Sequence, residues 1–241
     1  KARNLYTDRL VFIKKYLTDV NLPPDKQALW KNRAIREAKA TGRVQHPNIV
    51  GILDVLDDQG NIYIISEWVD GWCVADRIDQ LPWYEAVVYI AQACDGLDKG
   101  HKASPPIVHR NVNPAALLVA EGAVKLTNFN FARVEGDPSI VYTELIGGRD
   151  TAYAAPELFS DSGKADPRAD VYGLGATLYH MLTCNRPNSF LTHKPNPPAH
   201  ELNADVPKAL SQMVARAMEP LPANRFGSSA DFAAALRGMQ A

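Results

Sequence analysis

Apolar and polar positions alternate in the early part of the chain and recur at helical spacing in most of the rest. Alternation over residues 4–17 (NLYTDRLVFIKKYL) predicts an extended segment, with Val11 and Ile13 on one face and Phe12, Lys14 and Tyr16 on the other. Residues 23–44 set Leu29, Ala34 and Ala38 among charges at helical spacing. Residues 49–69 read as two strands joined by a turn near 57–61, where Gly60 supplies permissive backbone. An amphipathic helix is predicted over 81–103, with Pro82 near its start. Short strands return over 109–134 around a Glu121-Gly122 turn. Residues 169–183 are nearly all apolar and predict a buried helix; 206–219 and 229–240 are amphipathic. Strands first and helices later argue for an α+β, two-lobed body.

Composition narrows the function classes. The chain has 241 residues, 46% of them hydrophobic, enough for one large or two small packed units. A net charge of −1 gives no global attraction to nucleic acid or to an anionic membrane, so no nucleic-acid partner is expected. Cys73, Cys94 and Cys184 are far apart and form no C-x-x-C pair, which reads as free thiols in a reducing, cytoplasmic setting. No apolar run approaches the ~18 residues of a membrane span, and Lys1 starts no signal-peptide pattern. Because the sequence starts without methionine, it is expected to be a piece of a longer chain. The histidines show no H-x-x-x-H spacing, so no zinc site is read.

A series of short motifs, in order along the whole chain, resembles the protein kinase domain, closest to bacterial Ser/Thr kinases. VFIKK (11–15) resembles the third-strand motif carrying the ATP-anchoring lysine, here Lys14. REAKATGRVQHPNIV (36–50) resembles the regulatory-helix glutamate, Glu37, and the turn after it. YIISEWVDG (63–71) is similar to the strand entering the hinge. HRNVNPAALLV (109–119) resembles the catalytic loop and NFNFAR (128–133) the metal-binding motif. AAPEL, ADVYGLG and NRF resemble the scaffold motifs of the large lobe. The resemblance implies a small β-rich N-lobe over 1–70 and a mainly α-helical C-lobe over 71–241, the first strand and glycine-rich loop being absent from this sequence.

Position by position, the resemblance also implies lost chemistry. Phosphoryl transfer relies on positioning and charge neutralisation. Asn111 stands at the catalytic base, and an amide accepts no proton usefully at neutral pH. Asn113 replaces the phosphate-steadying lysine, Ala116 a metal ligand, and Asn128 the main metal aspartate, although Mg²⁺ prefers anionic oxygens. Asn130 stands where a glycine normally follows Phe129, and tolerates φ > 0 better than most residues. Phe12 replaces the small residue roofing the adenine and is expected to fill that pocket, the alternative being a ring rotated aside that leaves a slot; Lys14 and Glu37 remain as a vestigial ATP-anchoring pair or as a tie of the regulatory helix to the small lobe.

The scaffold residues stay. Glu157 and Arg225 are expected to pair, Asp170 to hold the His109–Arg110 loop, and Phe129 to pack under the regulatory helix with His46 nearby. Arg110 is expected either to meet a phosphate on Ser139, Tyr142, Thr143 or Thr151, or to pair with a carboxylate or carbonyl. Asp150 is expected to accept hydrogen bonds from Asn111 and Asn113. The implied function is a pseudokinase that scaffolds or regulates a protein partner or appended domains of its own chain. It would hold no metal and no resident cofactor. The alternatives are a weak ATP-dependent Ser/Thr phosphotransferase, or a nucleotide-binding switch that binds ATP without strong Mg²⁺ dependence and transfers nothing.

Overall fold

A computed structural model of the chain describes residues 1–16, 24–58, 61–134, 150–159 and 166–239, and the backbone alone at 24–30, 33 and 36. Its first part is an antiparallel sheet of order β1–β2–β4–β3: β1 (Ala2–Arg3), β2 (Leu10–Tyr16), β3 (Ile52–Asp58) and β4 (Asn61–Glu67). The extended segment expected over 4–17 is broken. Asn4 Oδ1 accepts the backbone N–H groups of Tyr6 and Thr7, both at 3.0 Å, and Arg3 pairs with Asp8 at 2.9 Å, so residues 4–9 turn the chain into a hairpin. A side chain that bonds its own backbone competes with the strand ladder, and here it wins. Leu17 and the turn glycine Gly60 lie outside the described residues.

Phe12, Lys14 and Tyr16 pair in register with Ser66, Ile64 and Ile62. Helix α1 (Pro24–Gly42) covers this face; Ala34, Tyr16, Ile62 and Ile64 form a small core, with Ala38 packed against it.

From Glu67 the chain crosses to a helical region. A side chain at Gly71 would meet the Val119 carbonyl oxygen 1.9 Å from its Cβ, so only glycine lets the crossing lie this close to the strand below. That strand belongs to a three-stranded sheet of order β5–β7–β8, from β5 (Trp72–Cys73), β7 (Leu117–Ala120) and β8 (Ala123–Leu126). Glu121 (φ 51°) and Gly122 (φ 75°) join β7 to β8, both in the positive-φ region that a two-residue hairpin of this hand requires. β6 (Ile107–Val108) pairs with β9 (Arg133–Val134).

The described helices of this region are α2 (Trp83–His101), α3 (Arg168–Thr183), α4 (Ala199–Leu202), α5 (Lys208–Ala217) and α6 (Ser229–Arg237). α3 is buried almost all round, as its unbroken apolar sequence requires. Its Leu174, Leu178 and Leu182 join Ile90 and Leu97 of α2 and Phe232 and Leu236 of α6 in the main core.

Side-chain and backbone bonds join the two regions. Lys125 pairs with Glu67 at 2.8 Å, and Asn48 Nδ2 donates to the Val124 carbonyl at 2.8 Å. The Val50 N–H donates to Leu126 O, and the Leu126 N–H to Asn48 O. Among the described residues no helix is long and apolar enough to cross a membrane.

Candidate functional site

The facing edges of the two regions enclose a cleft in two compartments. The hinge-side compartment has a volume of about 320 Å³, bounded by Phe12 above, Leu118 and Ala115 below, and Trp68 and Trp72 along the crossing chain. The inner recess is only about 40 Å³, between Lys14, Glu37 and Phe129. Phe12 lines both, with 44% of its surface exposed.

Strand β2 delivers Lys14 to Glu37 of α1, and their charged groups meet at 2.8 Å. Glu37 is buried, and its carboxylate also accepts a hydrogen bond from the Tyr16 hydroxyl. The Lys14 ammonium lies 4.9 Å from the centre of the Tyr16 ring. Tyr16 is a member of this cluster that motif comparison did not single out. The signal was present, since it stands two residues beyond Lys14 on the same strand face.

Opposite them, the loop after β6 is held from below. Asp170, on buried α3, accepts the backbone N–H of His109 at 2.8 Å and of Arg110 at 2.7 Å. This grip fixes Arg110 at φ 64°, a conformation that a non-glycine residue keeps only when its surroundings impose it. His101 Nε2 also contacts Asp170 at 2.8 Å, and its other nitrogen lies 3.5 Å from Ser229 Oγ. No local pattern announces this His101–Asp170–Ser229 chain, because its members come from three helices. Burial opposes ionisation of Asp170, yet the hydrogen bonds from His101 and the loop hold its pKa below the ordinary carboxylate value.

His109 is fully enclosed. Its Nε2 donates to the Thr127 carbonyl at 2.9 Å, and its Nδ1 accepts the Asn111 N–H at 3.2 Å. Its ring meets Phe129 edge-on at 4.4 Å, and the short turn carrying Phe129 packs against α1. His46, at the same junction, accepts the Asn48 N–H at 3.2 Å.

This geometry needs neutral imidazole at His109, since a proton on Nδ1 would point at an N–H. Burial accordingly lowers its pKa. The unfolded chain, titrating near 6.5, takes up a proton that the fold refuses, so stability falls as pH drops below ~6.5. Thermal melts at pH 7.5, 6.0 and 5.0 should therefore show a steeper loss for the unmodified chain than for His109→Gln, which keeps a donor and an acceptor without titrating. Parallel losses would contradict this.

Asn113 and Asn128, at the substituted motif positions, make local bonds. Asn113 caps a short turn (Pro114–Ala116): its Oδ1 accepts the Ala115 N–H and its Nδ2 donates to the Asn111 carbonyl, both at 2.9 Å. Ala116 is wholly buried. Asn128 donates from Nδ2 to the Ala115 carbonyl at 3.3 Å. Tolerance of positive φ is used at Asn128 (φ 64°) rather than at Asn130, which lies within a right-handed turn.

Asp150 does not reach toward Asn111 and Asn113 as the sequence suggested. It accepts the Ala152 N–H at 3.2 Å and pairs with Arg186, whose guanidinium supplies a full charge that the amides lack. Ser139, Tyr142 and Thr143 lie outside the described residues. Arg225, wholly buried, forks onto both Glu157 carboxylate oxygens at 2.6 and 2.8 Å. Among the described residues no cluster of His, Cys, Asp and Glu could hold a metal ion.

Fold and site together define a protein-kinase-like domain. The family model of the protein kinase domain matches residues 1–227, and the chain belongs to that family. It is 30% identical to the serine/threonine-protein kinase PknJ of Mycobacterium tuberculosis over 96% of its length, and 34% identical to a probable serine/threonine-protein kinase PknB of Lactococcus lactis over 91%. It spans 41% and 36% of those two relatives. The crystal structure of the Mycobacterium tuberculosis PknI kinase domain is similar at a TM-score of 0.70 and 27% identity, covering 95% of this chain and 84% of that one.

Proposed function

We propose that this domain is a pseudokinase, a kinase-fold module that transfers phosphate negligibly and acts by binding a protein partner or further domains of its own chain in the cytoplasm. The observation that carries this reading is the engagement of Asn113 and Asn128, together with the buried methyl of Ala116, where a kinase needs charge and metal ligands. The donor set does not fit a phosphate-bound Mg²⁺. One neutral amide oxygen, that of Asn128, stands in for the hard anionic oxygens that the ion requires.

What is retained supports a binding role. Asp170, Glu157 and Arg225 shape the large lobe, and the Lys14–Glu37–Tyr16 cluster ties α1 to the sheet with or without a nucleotide.

A second reading, a nucleotide switch without transfer, is favoured by one observation: the hinge-side compartment keeps about 320 Å³. The pseudokinase reading assigns Phe12 the task of limiting that space. Thermal-shift titrations with ATP, in Mg²⁺ and in EDTA, test both. The expected result is little or no shift for the unmodified chain and a shift of a few degrees for Phe12→Ala at about 100 times its Kd, equal in Mg²⁺ and EDTA. A Mg²⁺-independent shift in the unmodified chain would favour the switch. Stabilisation that requires Mg²⁺ would contradict the reading that this donor set holds no Mg²⁺.

A further inference from the structure

A second cavity, of about 460 Å³ and so larger than the hinge-side compartment, opens in the helical region away from the cleft. Its volume lies within the range of small-molecule sites. The floor is apolar: Tyr172 and Tyr179 of α3, Val214 of α5, Ala199 of α4 and Met218. One wall is the segment around Pro195, Pro197 and Pro198. This wall is built in advance. The Asn188 N–H donates to Asn196 Oδ1 at 2.6 Å and Asn188 Nδ2 to the Pro195 carbonyl at 2.9 Å, while the prolines fix their own φ. A ligand entering a preformed cavity has little chain to order, which lowers the cost of binding.

The charges are unequal. Lys194 and Lys208 line the cavity at its exposed edge, against a single carboxylate, Glu219. An apolar floor beneath a cationic edge fits a ligand with an apolar tail and one anionic head. We propose that this cavity binds an amphipathic monocarboxylate, its acyl tail on the tyrosine floor and its carboxylate beside Lys194 and Lys208.

The site adjoins the buried anchor of the large lobe. Pro156 lines the cavity next to Glu157, and the backbone carbonyls of Glu219 and Pro220, also at the cavity, accept Arg225 at 2.7 and 2.9 Å. A bound tail therefore braces the residues that hold the end of the 150–157 segment. None of this depends on whether the cleft is catalytically dead.

Calorimetric titration of the chain with octanoate, decanoate and dodecanoate, each below its micelle concentration, tests the proposal. Affinity should rise about fourfold per added methylene until the floor is full. Decanol should bind about tenfold more weakly than decanoate, and the double variant Lys194→Glu, Lys208→Glu should weaken decanoate by about the same factor. Ala215→Trp, at an exposed lining position of α5, should abolish binding while leaving the melting curve cooperative. Absence of heat with decanoate at both 10 and 35 °C, equal affinity for decanol, affinity independent of chain length, or undiminished binding in a folded Ala215→Trp would each overturn it.

Discussion

Arg225→Ala is expected to cost about 3–5 kcal/mol, the loss usual when one member of a buried ion pair is removed. Arg225 is completely buried and satisfies five acceptors at once: both oxygens of Glu157 and the carbonyls of Arg168, Glu219 and Pro220. Alanine removes all five donors and opens a void beside Glu157. For a chain of this size the melting temperature should fall by at least roughly 6 °C. Arg225→Lys should recover little, because a point charge cannot serve a planar fork of acceptors. The double variant Glu157→Gln, Arg225→Met should lose less than Arg225→Ala, since the charge of Glu157 is removed together with its fork partner and methionine fills much of the void. Equal melting of Arg225→Ala and the unmodified chain would remove this pair from the account of the fold.

Asp170→Asn carries the second large effect. The change conserves shape and removes charge, so what it reads is electrostatic. Asp170 gives one oxygen to the His109 N–H and to His101, and the other to the Arg110 N–H. The amide must turn its NH₂ toward one of these donors. At least one of these N–H groups is then unsatisfied, and the two-point hold on the His109–Arg110 loop is broken. A cost of about 3 kcal/mol is expected from the charged hydrogen bonds lost and the donor stranded. Hydrogen exchange should locate the damage, with the amides of His109 and Arg110 losing protection before those of α2. Unchanged protection at those two amides would contradict the assignment.

Much of the fold was legible because it rests on periodicity. α3 announces itself by an unbroken apolar run, and the β7–β8 turn by Glu121-Gly122. The hairpin at 4–9 was missed because its cause is a single side chain, Asn4, folding back on its own backbone. The substituted motif positions could be read from motif order, but their bonding could not. Whether Asn113 bonds across the cleft or caps its own turn depends on rotamers and neighbours.

Long-range partners were the least visible. Arg186 competes for Asp150 from 36 positions away, and His101 joins Asp170 from 69. The second cavity had no sequence signal beyond a cluster of prolines, whose spatial neighbours are set only when α3 and α5 pack.

Phosphoryl transfer separates a pseudokinase from an active kinase most directly, and it is measured by following ³²P from γ-labelled ATP with Mg²⁺ onto protein substrates and the chain itself. The unmodified chain is compared with the variant carrying Asn111→Asp, Asn113→Lys, Ala116→Asn and Asn128→Asp. Turnover by the unmodified chain is expected at least about 10⁴-fold below that of an active kinase domain, since loss of the base alone commonly costs 10²–10⁴ and the metal-ligand positions hold Ala116 and Asn128 as well. Robust transfer by the unmodified chain, abolished by Lys14→Ala, would contradict the pseudokinase reading.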